Sequence, residues 1–175
     1  MNDGSVVRRA TISDCGQYRY LLSHRWGMGP IAVWIMHNPS TADAEQDDPT
    51  IRRVTSFTRT LGCGGFDAVN LFAWRATDPK SLRDQQDAVG PANDRYILSA
   101  IRGAPGPRIA AWGAVQPSGH TRVMRLLQGP LALTRLQCLG TTKDGHPRHP
   151  LYLPRSSDLR NWAPAGTTPA NRGIR

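Results

Sequence analysis

The chain has 175 residues and a formal net charge of +9, and 20 of its 22 basic residues are arginine. That length suits one domain with a sizeable core, and no apolar run reaches the about 20 residues of a membrane span. Cys15, Cys63 and Cys138 lie too far apart for a structural zinc or iron–sulfur motif.

An odd cysteine count in a single domain fits a reducing compartment. The start, Met1 to Ser5, lacks the apolar stretch of a signal peptide. We therefore expect a cytoplasmic protein with no metal, no cofactor and no membrane association. Arginine's planar fork donates bidentate hydrogen bonds to phosphates and base edges, so the charge favours nucleic acid or another phosphorylated partner.

In chain order, residues 6–26 predict a β-hairpin around a turn at 13–16, with Tyr18, Tyr20 and Leu22 alternating with polar neighbours. Its arginines, Arg8, Arg9, Arg19 and Arg25, predict a solvated face. After Gly29-Pro30, the run 31–36 predicts a buried strand. It turns polar within one residue: His37, Asn38, Pro39, Ser40, Thr41 and Asp43 follow, then the acidic residues Glu45, Asp47 and Asp48. Asp48-Pro49 predicts a helix start, Ile51, Val54, Phe57 and Leu61 its buried stripe, and Gly62 its end.

A second apolar strand, 67–72, carries Asn70 near its end and is followed by Trp74, Arg75, Asp78 and Lys80. A helix over 91–102, a strand over 108–112, a helix from a Ser118 cap to about Gln128 and a fourth strand over 135–139 complete the pattern. We expect a single domain over 1–162 and a disordered tail over 163–175, where proline, glycine and threonine dominate.

Strands alternating with helices predict a three-layer α/β/α fold around a mainly parallel four-stranded sheet, with the hairpin appended. Parallel strands place their carboxyl ends on one rim. Asn38, Asn70, Gly113 and the segment 141–149 should therefore converge there.

Familiar catalytic motifs are missing: there is no Gly-x-Ser-x-Gly elbow, and no phosphate-cradling Gly-x-x-x-x-Gly-Lys. What remains is a carboxylate or amide with histidine, which suits hydrolysis by a positioned water. Asp43, Asp47 and Asp48 are the carboxylate candidates. His146 and His149 stand in a proline-stiffened loop, suited to a general acid or to a donor toward a developing anion.

From about residue 18 to 154 the chain resembles a bacterial family, domain of unknown function 1643. The residues that carry this are Asn38-Pro39-Ser40 with Asp48-Pro49-Thr50, Asn70-Leu71-Phe72, Trp112-Gly113, and the run from Gly145 through His146, His149 and Pro150 to Leu151. More distantly, the order of motifs is similar to the uracil-DNA glycosylase superfamily. Asn38-Pro39 resembles its water-positioning motif. Asn70, Arg75 and Pro79 follow in the order of its base-reading asparagine and Arg-Pro. Trp112-Gly113 and His149-Pro150-Leu151 resemble its third and last motifs. Met36 and His37 replace the residues usual before the asparagine, and no serine follows His149-Pro150. No aromatic follows Asn38 before Phe57, which leaves Phe72 or Trp74 as the stacking partner.

The resemblance implies a uracil-DNA glycosylase-like fold and hydrolysis of the N-glycosidic bond of a modified or damaged base, with nucleic acid, DNA foremost, as partner. Asn38, helped by Asp43, would hold the water, and His149 would stabilise the departing base. Asn70 would read the base edge, and His37, Pro39, Ser40, Phe72, Trp74, Arg75 and Trp112 would line the substrate site. Leu151 and Tyr152 would fill the gap in the duplex. The rival expectations are a non-catalytic nucleic-acid or nucleotide-binding protein of the same fold, and a hydrolase or transferase of a small phosphorylated metabolite.

Overall fold

The computed structural model describes residues 5–40 and 48–164. Its centre is one seven-stranded sheet in the order β1-β2-β4-β3-β5-β6-β7. The strands are β1 (Val7–Ile12), β2 (Arg19–Arg25), β3 (Ile31–Met36), β4 (Gly65–Asn70), β5 (Arg108–Ala110), β6 (Leu136–Cys138) and β7 (Arg160–Trp162). The helices are α1 (Pro49–Thr60), α2 (Asn93–Gly103) and α3 (Pro117–Gln128).

The four strands expected from the apolar runs are the contiguous middle of the sheet, and all their pairings are parallel: β4 with β3, β3 with β5, and β5 with β6. The sheet itself is larger than the four strands predicted. The N-terminal hairpin β1–β2 is not a separate appendage, because β2 pairs antiparallel with β4. At the other edge β7 pairs antiparallel with β6. Three residues in a polar stretch carry little periodicity, so β7 gave no local signal.

Alternation along β3 explains the layers. Val33 and Ile35 point into one core with Ile97 and Ile101 of α2 and Val123 and Leu126 of α3. Ala32, Trp34 and Met36 point into the opposite core with Ile51, Val54 and Phe57 of α1. Successive strand residues face opposite sides, so one strand buried on both faces needs helices on both.

Several boundaries differ from expectation. β4 runs over 65–70, two residues earlier than predicted, so Asn70 is its last residue. β5 ends at Ala110. Leu133 is fully exposed, and Leu131 takes the buried place before β6. α3 begins at Pro117 with Gln116 before it, and Ser118 does not cap it. α1 starts where the sequence indicates: Asp48 Oδ1 accepts from the Ile51 N–H at 2.8 Å. No helix among the described residues is long and apolar enough to cross a membrane. Residues 165–175, most of the expected tail, and Asp43 lie outside the described residues.

Candidate functional site

In the order β4-β3-β5-β6, the chain leaves β3 to one side and later crosses to its other side to form β5. Open α/β sheets form a crevice at such a reversal, beyond the carboxyl ends of the strands. A cavity of 1360 Å³ opens there. His37, Asn38 and Ser40 reach it from the β3 end, Asn70 and Phe72 from β4, and Trp112 and Gly113 from β5. His149, Leu151 and Tyr152 come from the loop after β6.

Backbone ladders continue past the strands and set these residues side by side. Met36 pairs with Asn70, the Leu71 N–H donates to Met36 O at 2.8 Å, and the Phe72 N–H donates to His37 O at 3.0 Å. The His37 and Phe72 rings lie 5.4 Å apart.

Asn38 is held on three sides. Its Nδ2 donates to Ala76 O at 2.9 Å and to Pro39 O at 3.1 Å, while Oδ1 faces His37 Nδ1 at 3.1 Å. Both amide protons are thus committed to carbonyls, and Oδ1 keeps one lone pair for a ligand.

Asn70 is the opposite case. It is 2 % exposed, and its side-chain amide has no hydrogen-bond partner among the described residues. Its main chain is fixed by others. Asn93 Nδ2 donates to Asn70 O and Leu71 O at 3.0 and 3.1 Å, and Arg122 Nε donates to Leu71 O at 2.8 Å. Arg122 is itself paired with Asp94. The bulge of chain after β4 is therefore pinned from α2 and α3, and the Asn70 amide is left for the cavity.

His149 precedes a 3-10 turn over Pro150–Tyr152, and its Nδ1 accepts from the Leu151 N–H at 3.4 Å. Gly113, at φ +76°, lets β5 approach this loop: its N–H donates to Pro147 O at 2.9 Å. Burial pushes the imidazole of His149 below its usual pKa; Asp48 opposes the shift and His37 adds to it. Burial likewise lowers His37, opposed by its bond to Asn38. Both shifts favour the neutral ring.

Among the described residues, Arg19, Lys80, Arg83 and Arg148 line the cavity with two carboxylates, Asp48 and Asp87. Both Asp48 oxygens are engaged: Oδ2 accepts from Ser40 Oγ at 2.7 Å, and Oδ1 caps α1. At the mouth Leu151 is 36 % and Tyr152 71 % exposed, apolar groups beside a basic rim.

A family model described as "Protein of unknown function (DUF1643)" matches residues 19–151. The chain belongs to the DUF1643 family. Arg19 and Leu151, the first and last matched residues, both line the cavity, so in this DUF1643 protein the match covers the whole described lining except Tyr152. Comparison with curated proteins and with solved structures found no match.

Three expected site residues of this DUF1643 chain lie apart from the cavity lining. Trp74 packs edge-on against Tyr18, with ring centroids 5.4 Å apart, and bridges to the hairpin. Arg75 donates to Gly16 O at 3.1 Å, so it too turns toward the hairpin. Pro39 contributes only its carbonyl, as acceptor from Asn38 and from the Ala76 N–H. Strand register explains Trp74 and Arg75: once β2 docks on β4, the nearest acceptors for the chain after β4 are those of the hairpin. Conversely, Arg19 was expected on a solvated face. It is 3 % exposed and lines the cavity. The wall formed by the 3-10 helix Pro79–Asp84 and by residues 85–89 was also not anticipated. The Asp78-Pro79 start, with Asp78 accepting from the Lys80 N–H at 2.9 Å, was its available signal.

Proposed function

We propose that this protein hydrolyses the N-glycosidic bond of a modified or damaged base in nucleic acid, DNA foremost, on a uracil-DNA glycosylase-like fold. One observation carries the reading: Asn38, Asn70, Trp112 and His149, from the ends of four parallel strands, line a single cavity. That cavity is large enough for a nucleoside that has left the base stack.

The unpartnered Asn70 amide offers two donors and an acceptor oxygen to a base edge. Phe72 and Trp112 offer apolar walls. Neutral His149 stabilises negative charge on the departing base by hydrogen bonding, as an oxyanion hole does. The remaining Oδ1 lone pair of Asn38, with Asp43 as helper, holds the attacking water. Lys80, Arg83 and Arg148 meet phosphates. Leu151 and Tyr152 are exposed apolar groups of the kind that fill a vacated stack.

The test is release of free base from oligonucleotides carrying uracil, deaminated, alkylated and bulky modified bases. Release from at least one substrate, with His149→Ala lowering turnover about a hundred- to a thousand-fold, is the expected result. Salt-sensitive binding without release from any substrate would instead support a non-catalytic binding protein. Turnover of free nucleotides with little salt dependence would support a hydrolase or transferase of small phosphorylated metabolites.

A further inference from the structure

Two histidines face one cavity, and their hydrogen bonds impose opposite tautomers. Asn38 Nδ2 lies between the carbonyls of Pro39 and Ala76, so the amide cannot be turned round without setting oxygen against oxygen. The atom presented to His37 Nδ1 is therefore Oδ1, an acceptor only. His37 Nδ1 must carry the proton. In the neutral ring Nε2 is then a bare lone pair. No protein group uses it among the described residues, and it is not sealed in the core. His149 is arranged the other way. Its Nδ1 accepts from the Leu151 N–H, so its proton sits on Nε2.

From this arrangement we infer that His37 is the general base of the site, with Asn38 as the positioning residue that turns the basic nitrogen to the cavity. The inference deepens the glycosidase reading and rests on it for the identity of the reaction. It adds a base, the imidazole of His37, beside the water-holding role that the sequence gives Asn38 with Asp43.

The step balances as follows. The oxygen of a water bonds to the sugar C1′ while its proton passes to His37 Nε2. The C1′–N bond breaks, and its electron pair leaves with the base. The base departs as an anion held by the Nε2–H of His149, and takes a proton from solvent on release. His37 returns its proton to solvent. A neutral His37 suits this role, and burial favours the neutral ring. Of the charged groups that line the cavity, Asp48 acts on His149, and burial dominates at His37.

The experiment has two arms. Long-range proton–nitrogen NMR of the whole protein, with the rings assigned through His37→Asn and His149→Gln, reads each tautomer directly. The expected result at pH 7 is His37 protonated on Nδ1 alone and His149 on Nε2 alone. In Asn38→Ala, His37 should become a mixture of tautomers. The second arm is base release against pH. His37→Asn keeps a donor toward Asn38 but removes the base, so kcat should fall by about a hundred- to ten-thousand-fold with KM little changed. The acid limb of the wild-type profile should vanish with it, and in Asn38→Ala the limb should move to lower pH.

The outcomes separate the two claims. His37 protonated on Nε2, or charged at pH 7, overturns the base assignment whatever the activity. So does base release at an undiminished rate in His37→Asn. A single Nδ1–H tautomer persisting in Asn38→Ala overturns the positioning role. The expected tautomers in a protein that releases no base from the panel support the positioning of His37 by Asn38 and overturn both the base role and the glycosidase reading.

Discussion

The side-chain amide of Asn38, after β3, donates to the carbonyl of Ala76, after β4, at 2.9 Å. Two loops 38 residues apart in the chain are thus closed on one another by one side chain. Asn38→Ala leaves the carbonyls of Ala76 and Pro39 without this donor. A lost partner in a largely buried setting costs about 1–3 kcal/mol, so the urea midpoint should fall accordingly. Asn38→Asp should be worse, because a carboxylate oxygen would face two carbonyls. Equal stability of Asn38→Asp and the parent chain would refute the clamp.

Asn70 and Asn93 are both asparagines with almost no exposed surface, and they should respond in opposite ways. The Asn93 amide serves two main-chain carbonyls, and Asn93→Ala removes this donor from both, leaving Leu71 O with Arg122. We expect a loss of about 1–3 kcal/mol or more. The Asn70 amide serves none among the described residues. Asn70→Ala should change stability by less than about 1 kcal/mol while altering which base is accepted. Denaturation of the two variants side by side, with the base-release panel, checks this.

Gly113 sits at φ +76°, and an added Cβ would lie 3.3 Å from His149 Cβ. A side chain in that backbone region costs about 1–2 kcal/mol. Gly113→Ala should therefore lower the melting temperature and slow base release by displacing His149. A variant as fast and as stable as the parent would show that the β5 end does not set the position of His149.

Both cavity histidines have pKa values lowered on folding. The unfolded chain then binds more protons than the folded one between the unfolded value, about 6.5, and the lowered folded values. Their contribution is present above about pH 6.5 and is lost as pH falls through that window. Urea midpoints should drop from pH 7 to pH 5. The drop should be shallower in a His37→Asn, His149→Gln double variant, which lacks these two groups. Parallel curves for the two proteins would contradict the shifts.

Nucleic-acid affinity should fall steeply with salt, by about 0.9 in log K per log salt for each phosphate neutralised on a duplex. Lys80→Ala should reduce that slope by about one phosphate without changing base preference. Titrations on single- and double-stranded oligonucleotides at several salt concentrations read both. An unchanged slope would remove Lys80 from the phosphate path, and no binding at low salt would remove nucleic acid as the partner.

Local chemistry was enough to read the centre of this protein from its sequence. The runs 31–36 and 109–112 are apolar because this part of the sheet is buried on both faces, and Asp48-Pro49 starts a helix through its own side chain. Once the four strands are taken as parallel, Asn38, Asn70 and the loop of His149 must share a rim, whatever the strand order. Tertiary structure alone decided the rest. Trp74 and Arg75 belong to the hairpin because β2 docks on β4, and the same docking carries Arg19 into the cavity. Asn93 and Arg122 earn their roles from carbonyls about 20 and 50 residues earlier in the chain. The tautomer of His37 depends on an amide whose orientation is set by Ala76, on another loop. Hydrophobic periodicity is a property of neighbouring residues, but the partner of a buried polar group is whichever acceptor the completed fold brings within about 3 Å.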